Sequence, residues 1–213
     1  MHAMQDKRGA PLAAARTSRS YLGALALLIA LGTLIADQGT KIWALRALTP
    51  GEPVELIGSY LRLNIIRNPG AAFSIGNQAT WLLTLVALGV LIFILVSLRR
   101  LGHRGWAICL GLLLGGAVGN LIDRIFREPG VGRGHVVDMI DYGGLFIGNV
   151  ADIAIVVAAA VIAILAWRGI GIDGAPLSSE KEQRVPAEPA DLEDQQAPEG
   201  SRTTEPTRGQ PDE

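Results

Sequence analysis

Four long runs of apolar residues constrain this 213-residue chain more than any other feature of its sequence. They cover about residues 21–43, 81–98, 106–124 and 147–167. At a helical rise of about 1.5 Å per residue, each run matches the hydrocarbon core of a bilayer. A soluble domain with four such helices would need more polar surface than this chain has to cover them. We therefore predict an all-α membrane protein with four transmembrane helices.

The first run has one alternative interpretation, a cleaved signal peptide, because a basic leader precedes it. No small-x-small cleavage site follows the apolar core, and the chain continues instead as Asp37-Gln-Gly-Thr-Lys41. We therefore interpret residues 1–19 as a cytoplasmic leader with no fold of its own, and the run as a retained helix.

Charge supplies a prediction of orientation. Four helices place both termini on one side, and the short turn with Arg99, Arg100 and Arg104 lies on that side too. The positive-inside rule assigns this face to the cytoplasm, although the bias is small, with eight Lys and Arg residues before the tail against seven opposite. Residues 169–213 are rich in Pro, Glu, Ser and Gln, so we expect a disordered acidic cytoplasmic tail.

Two loops lie on the other side of the predicted bundle, residues 47–79 and 125–146. In the first loop, residues 54–57 and 60–67 have the composition of short strands and follow a stretch with Pro and Gly. We expect a small extracytoplasmic β-sheet on the outer membrane surface, with an edge that an extended peptide can pair with.

Polar side chains gather at the outer ends of the predicted helices. A carboxylate that enters a lipid-length segment costs about 2.5–3.5 kcal/mol at a helix centre and less near its end, so its presence calls for a reason. Each of these residues, taken alone, could instead have a structural role, in an ion pair, in an ordinary turn or as an interfacial anchor. The candidates for one converging site are Asp37, Lys41, Asn68, Asn120, Arg124, Asp138, Asn149 and Asp152.

Asp138 and Asp152 indicate what chemistry such a site would perform. Two carboxylates brought together in a partly dry pocket cannot both ionise easily, so one keeps a proton while the other acts as a base. The ionised member would take a proton from an attacking water, and the protonated member would stabilise the oxyanion. This is the arrangement of an aspartic protease, and neither role belongs to one residue because a coupled pair titrates as a unit.

Five short segments follow one another in a fixed order between residues 20 and 168. They are Asp-Gln-Gly-Thr-Lys at 37–41, Asn-Pro-Gly-Ala-Ala-Phe at 68–73, Gly-Gly-Ala-Val-Gly-Asn-Leu-Ile-Asp-Arg at 115–124, Val-Val-Asp at 136–138 and Asn-Val-Ala-Asp at 149–152. In this order and spacing the chain resembles the bacterial signal peptidase II family, the lipoprotein signal peptidases. Each segment alone is weak evidence for this family, but the five segments in this order are specific for it.

The resemblance implies an aspartyl endopeptidase of the bacterial cell membrane whose active site lies at the extracytoplasmic surface. Asp138 and Asp152 would be the catalytic pair. The substrate would be a prolipoprotein whose cysteine already bears diacylglycerol, cut just before that cysteine. The resemblance implies no partner besides this substrate and membrane lipid. We expect no metal, no organic cofactor and no nucleic acid. We also expect the chain to be a monomer. The residues that would position the substrate or support the pair are Asn68, Gly70, Asn120, Arg124, Asn149, Asp37 and Lys41.

Three positions near the expected pair need separate interpretation. Family members often have Phe where this chain has Gly148 and Ser where it has Ile153. Neither change touches the two aspartates, so we expect activity to survive. Asp141 lies three residues after Asp138, and we place it outside the pair because only Asp138 matches the family segment.

Two other classes of protein compete with the peptidase. A proton-coupled transporter also carries acids and bases within the membrane, but here the charges gather at one surface and no polar path continues across the second to fourth helices. A non-enzymatic assembly protein would use the stripe of Gly111, Gly115 and Gly119, but it leaves the two aspartates unexplained. We predict that this stripe lets a neighbouring helix approach closely.

Overall fold

The computed structural model describes residues 10–70 and 80–177, with side chains from Ser20 onward. The described residues form four long helices and four short strands. In chain order these are α1 (Ala10–Ala47), β1 (Val54–Ile57), β2 (Leu61–Asn68), α2 (Thr80–Leu98), α3 (Arg104–Phe126), β3 (Val136–Asp141), β4 (Ile147–Gly148) and α4 (Val150–Trp167).

Four helical segments of the described chain are long and apolar enough to cross a membrane, in agreement with the sequence prediction. They are Ser20–Ala47, Thr80–Leu98, Arg104–Phe126 and Val150–Trp167, with mean hydropathies of 1.8, 2.8, 1.8 and 2.6. The Arg104–Phe126 segment is the most buried of the four, because 56% of its apolar 18-residue stretch lies inside the protein. This makes α3 the central helix.

The glycine stripe of α3 packs against α1. A Cβ atom at Gly111 would lie 2.6 Å from the carbonyl oxygen of Ala26, and one at Gly115 would lie 2.5 Å from that of Ala30. Both distances are far below ordinary van der Waals contact, so only glycine allows the two helices this approach. The prediction that the stripe serves close helix packing is confirmed, and the packing occurs within the chain.

The four strands form one antiparallel sheet in the order β1-β2-β3-β4. One cluster of buried side chains, including Ile65, Val137 and Met139, joins the sheet to Ala44 near the end of α1. In the β2–β3 ladder Ile66 pairs with Asp138 and Asn68 pairs with Val136. The register therefore places Asn68 diagonally across from Asp138.

Two predicted boundaries differ from the structure. The sequence predicts a leader without a fold through residue 19, whereas α1 begins at Ala10; residues 1–9 lie outside the described chain. It also predicts that the fourth helix starts at residue 147, whereas Ile147–Gly148 pair with β3 and α4 starts at Val150. The apolar run continues through both elements, so hydropathy alone does not reveal where strand pairing ends.

The first part of the predicted disordered tail is folded. Residues 169–177 form a hairpin closed by a bridge between Ile170 and Pro176. Its backbone accepts hydrogen bonds from the Trp106 indole and from the Gly102 backbone, which attaches it to the start of α3. The prediction for residues 178–213 falls outside the described chain.

Candidate active site

Asp138 lies in the middle of β3 and is 1% exposed. Its Oδ2 accepts a hydrogen bond of 2.8 Å from Asn68 Nδ2, and its Oδ1 accepts one of 2.7 Å from Asn149 Nδ2. Burial raises the pKa of Asp138 to about 6, and the nearby Asp152 carboxylate acts in the same direction. The two amide donors and the Lys41 charge lower the pKa and oppose this shift without cancelling it.

Asp152 lies in the first turn of α4, where it is part of the helix cap. The Asn149 side chain accepts from the Asp152 backbone N–H at 3.0 Å, and Asp152 Oδ2 accepts from the Asn149 backbone N–H at 3.1 Å. This reciprocal capping box starts the helix and fixes the position of the carboxylate. Asp152 Oδ1 remains for Asn120, whose Nδ2 donates to it at 3.1 Å.

Two amide side chains connect the carboxylates of Asp138 and Asp152. Asn149 Nδ2 donates to Asp138 Oδ1 and, at 3.2 Å, to Asn120 Oδ1. Asn120 then donates to Asp152. The structure thus brings together the two aspartates and two of the predicted supporting residues, on β3, α3 and α4.

Lys41 fixes the orientation of the Asn120 amide. Its Nζ donates to Asn120 Oδ1 at 2.9 Å and lies 2.8 Å from Asp37 Oδ2 and 2.9 Å from Asp123 Oδ2. The predicted ion pair with Asp37 is present, and both side chains are fully buried. Asp37 Oδ1 also accepts from the Ala151 backbone N–H at 3.0 Å, which ties α1 to the first turn of α4.

Asp123 is a buried member of the network that the sequence did not assign to the site. Its carboxylate accepts from Lys41, from Arg127 Nε and from the Val137 backbone N–H. It therefore links α1, α3 and β3 directly beside Asp138. The four-residue spacing to Arg127 was a readable signal for a local pair, but the contact with Lys41 depends on helix packing that no local pattern specifies.

Arg124 and Gly70 border the network. Arg124 lies near enough to Asp138 and Asp152 to be attracted to both charges. Its buried Nη1 has no hydrogen-bond partner among the described residues, so a donor remains for a ligand. The backbone N–H of Gly70, which has a φ of 115°, donates to Asn68 Oδ1 at 2.8 Å and so orients the Asn68 amide towards Asp138.

Asp141 has different partners from Asp138. One oxygen forms an ion pair of 2.7 Å with Arg62, and the other accepts from the Gly144 backbone N–H. These bonds fasten the turn between β3 and β4.

An apolar groove of about 340 Å³ adjoins Asp152. The stacked rings of Tyr142 and Phe146 border it, and the Phe146 ring lies so close over Gly148 that a Cβ there would be 2.6 Å from it. Ile153, which is 42% exposed, also lines the groove. The full lining is Tyr142, Phe146, Gly148, Asn149, Asp152, Ile153, Val156 and Val157. The two positions at which we expect this chain to differ from the family, Gly148 and Ile153, therefore both line this groove.

Within residues 10–70 and 80–177 no group of three or more His, Cys, Asp or Glu side chains is arranged to hold a metal ion. The buried carboxylates of Asp37 and Asp123 are instead occupied by the Lys41 ammonium.

Comparison with known proteins identifies close relatives. The model of a family described as signal peptidase (SPase) II matches residues 29–168. A lipoprotein signal peptidase of Leifsonia xyli is 45% identical over 172 residues, which is 78% of this chain and 80% of that protein. One of Rhodococcus jostii is 48% identical over 158 residues, 74% of this chain and 80% of its own. A solved bacterial membrane enzyme superposes with a TM-score of 0.57 at 28% identity and covers 66% of this chain and 91% of that one.

Proposed function

Because this chain belongs to the signal peptidase II family of proteases, whose role is to remove signal peptides from lipoproteins, we propose that Asp138 and Asp152 are its catalytic pair. The observation that carries the assignment is the amide chain between them: Asn149 donates to Asp138, and Asn120 donates to Asp152. It holds two carboxylates from different elements at one place beside an apolar groove.

The pair acts on a peptide bond through a water molecule. The ionised aspartate takes a proton from the water while the water oxygen attacks the scissile carbonyl carbon. The protonated aspartate hydrogen-bonds the carbonyl oxygen and stabilises the negative charge that develops on it. When the C–N bond breaks, a proton passes to the leaving amine. The pKa of Asp138, raised to about 6 by burial, supports a pair that keeps a proton at a pH where an ordinary aspartate has lost it.

Arg124 and the amide side chains position the substrate and the pair. The donor of Arg124 that has no described partner is suited to a peptide carbonyl of the bound substrate. Asn68, oriented by Gly70, and Asn149 hold Asp138 from both sides. Lys41, Asp37 and Asn120 support the position of Asp152 from α1 and α3.

The substrate is a prolipoprotein bearing diacylglycerol on the cysteine that follows the cleaved bond. The apolar groove next to Asp152 supports this substrate, because its wall continues into Val156, which is 67% exposed on a helix apolar enough to span the membrane. The sheet and the catalytic pair lie at the extracytoplasmic surface of the bacterial cell membrane, with both termini cytoplasmic. The peptidase domain comprises residues 20–168 and acts as a monomer.

Cleavage of a diacylglyceryl prolipoprotein in detergent tests the assignment. Asp138→Asn and Asp152→Asn should each lose about 10²–10⁴-fold in kcat, which is the usual contribution of a general acid or base. Asp141→Asn is the matched control, a buried carboxylate on the same strand as Asp138 that contacts Arg62 instead of the network. It should keep cleavage. Wild-type activity in either catalytic variant, or an equal loss in the control with its fold intact, would refute the pair.

A further inference from the structure

A second pocket lies at the opposite end of the membrane-spanning helices from Asp138 and Asp152. The turn after α2 and the hairpin of residues 169–177 border this pocket, which has a volume of about 390 Å³. It lies where α2 ends and α3 begins, whereas the candidate active site lies where α3 ends and α4 begins. Its lining is Arg99, Arg100, Gly171, Ile172, Asp173, Ala175, Pro176 and Leu177.

The hairpin gives this pocket a fixed wall. Gly171 N–H donates to Ala175 O at 2.8 Å, and Leu177 N–H donates to Gly169 O at 2.9 Å. The hairpin is attached to the turn after α2, because Gly102 N–H donates to Ile172 O at 2.9 Å. The backbones approach so closely here that a Cβ at Gly102 would overlap the carbonyl group of Asp173. Backbone hydrogen bonds and close backbone packing therefore hold this wall of the pocket in place.

The charge of the pocket is positive. The Arg99 and Arg100 side chains are exposed, and neither forms an ion pair or a side-chain hydrogen bond with another described residue. The one acid in the lining, Asp173, uses Oδ1 to accept from Ala175 N–H within the hairpin. Two guanidinium groups against one carboxylate leave an excess of donors and of positive charge.

We propose that this pocket binds the phosphate group of an anionic membrane phospholipid. A guanidinium group presents paired donors that match phosphate oxygens, and basic pockets at the ends of membrane helices attract anionic headgroups. The outward face of α2 directly before the arginines is apolar, with Phe93 68% and Val96 49% exposed. Acyl chains can therefore lie along α2 while the phosphate contacts Arg99 and Arg100. Free phosphate shares the recognition chemistry but would leave this apolar face unused.

Titration with phosphatidylglycerol tests the site. The purified full-length chain in neutral detergent is titrated with phosphatidylglycerol and, separately, with phosphatidylcholine, and bound lipid is counted by native mass spectrometry. Each arginine should contribute about fivefold in affinity, so Arg99→Gln/Arg100→Gln should bind phosphatidylglycerol about 30-fold more weakly than the wild type. Arg99→Lys/Arg100→Lys keeps both charges and should lose less.

Arg168→Gln is the matched control, because Arg168 is exposed on the same face but does not line the pocket. Its affinity should remain that of the wild type. An equal loss of affinity in this control would show that only the overall charge matters. Unchanged binding in Arg99→Gln/Arg100→Gln would show that the lipid does not bind at this pocket. Either result overturns the proposal. The proposal is also overturned if inorganic phosphate displaces bound phosphatidylglycerol as effectively as added phosphatidylglycerol does. If the glutamine pair does not fold, the single variants Arg99→Gln and Arg100→Gln decide, with about a fivefold loss expected in each.

Discussion

Replacing Gly119 with alanine tests how closely α1 and α3 must approach to form the candidate site. A Cβ at this position would overlap the Oδ2 atom of Asp37. That oxygen also contacts Lys41 at 2.8 Å, and the other oxygen of Asp37 accepts from Ala151 N–H at 3.0 Å. The added methyl group on α3 must therefore displace a carboxylate that ties α1 to the first turn of α4.

The expected loss of stability combines three effects. Alanine is favoured over glycine within a helix by about 1 kcal/mol. Overpacking a tight contact costs about 1–3 kcal/mol, and a buried N–H that loses its acceptor costs about 1–3 kcal/mol more. For Gly119→Ala the net effect is a destabilisation of about 1–5 kcal/mol, with about 3 kcal/mol at the centre of that range. Gly32→Ala on α1, where an added methyl group would meet no atom within 4 Å, should instead gain up to about 1 kcal/mol.

Thermal unfolding in detergent and cleavage of a diacylglyceryl prolipoprotein measure both consequences. Ala151 precedes Asp152, so moving its hydrogen-bond acceptor shifts the carboxylate, and a displacement near 1 Å costs about 10²-fold in rate. We expect the loss mainly in kcat. If Gly119→Ala unfolds at the same temperature as Gly32→Ala and cleaves at the wild-type rate, the close approach of Asp37 does not matter and the reasoning is refuted.

Three further predictions follow from buried charge and from the hairpin. Between about pH 4 and pH 6 the wild type should lose stability relative to Asp138→Asn as the pH rises. Burial raises the pKa of Asp138 to about 6, so the folded state holds the proton more tightly than the unfolded chain does. If the unfolding temperatures of the two proteins change in parallel over this pH range, the prediction is contradicted. Lys41→Met should cost about 3–5 kcal/mol in denaturant unfolding, because it leaves buried carboxylates without their cation, and a cost below about 1 kcal/mol would show that the lysine is dispensable. Truncation after Leu177 should preserve cleavage and stability. Truncation after Arg168 removes the hydrogen bonds from Trp106 and Gly102 to the hairpin and should lower the unfolding temperature. Equal unfolding temperatures for the two truncated proteins would show that the hairpin contributes nothing to stability.

Local spacing predicts the contacts that lie within one helix. Asp37 and Lys41, four residues apart, form the expected ion pair, and Asn149 and Asp152, three apart, face each other. The four apolar helices are equally readable, because length and composition alone make each of them long and apolar enough to cross a bilayer.

Contacts between elements are not readable in the same way. Asp123 meets Lys41 only because the glycine stripe lets α3 approach α1, and no local pattern gives the depth of that approach. The predicted start of α4 is wrong because Ile147 continues the apolar run while its backbone pairs with Asp141. The Asn-x-x-Asp pattern at Asn149 resembles a capping box and is the available signal for the correct start.

The capping box of α4 has a consequence for measurement. Asp152 Oδ2 accepts from the backbone N–H of Asn149, so this amide proton loses its hydrogen-bond acceptor when the Asp152 carboxylate moves away and should then exchange faster with solvent. Deuterium uptake at Asn149 therefore records the arrangement of the aspartate even when no substrate is turning over. A ligand that stabilises this arrangement should slow uptake at Asn149, and one that pulls the carboxylate away should speed it.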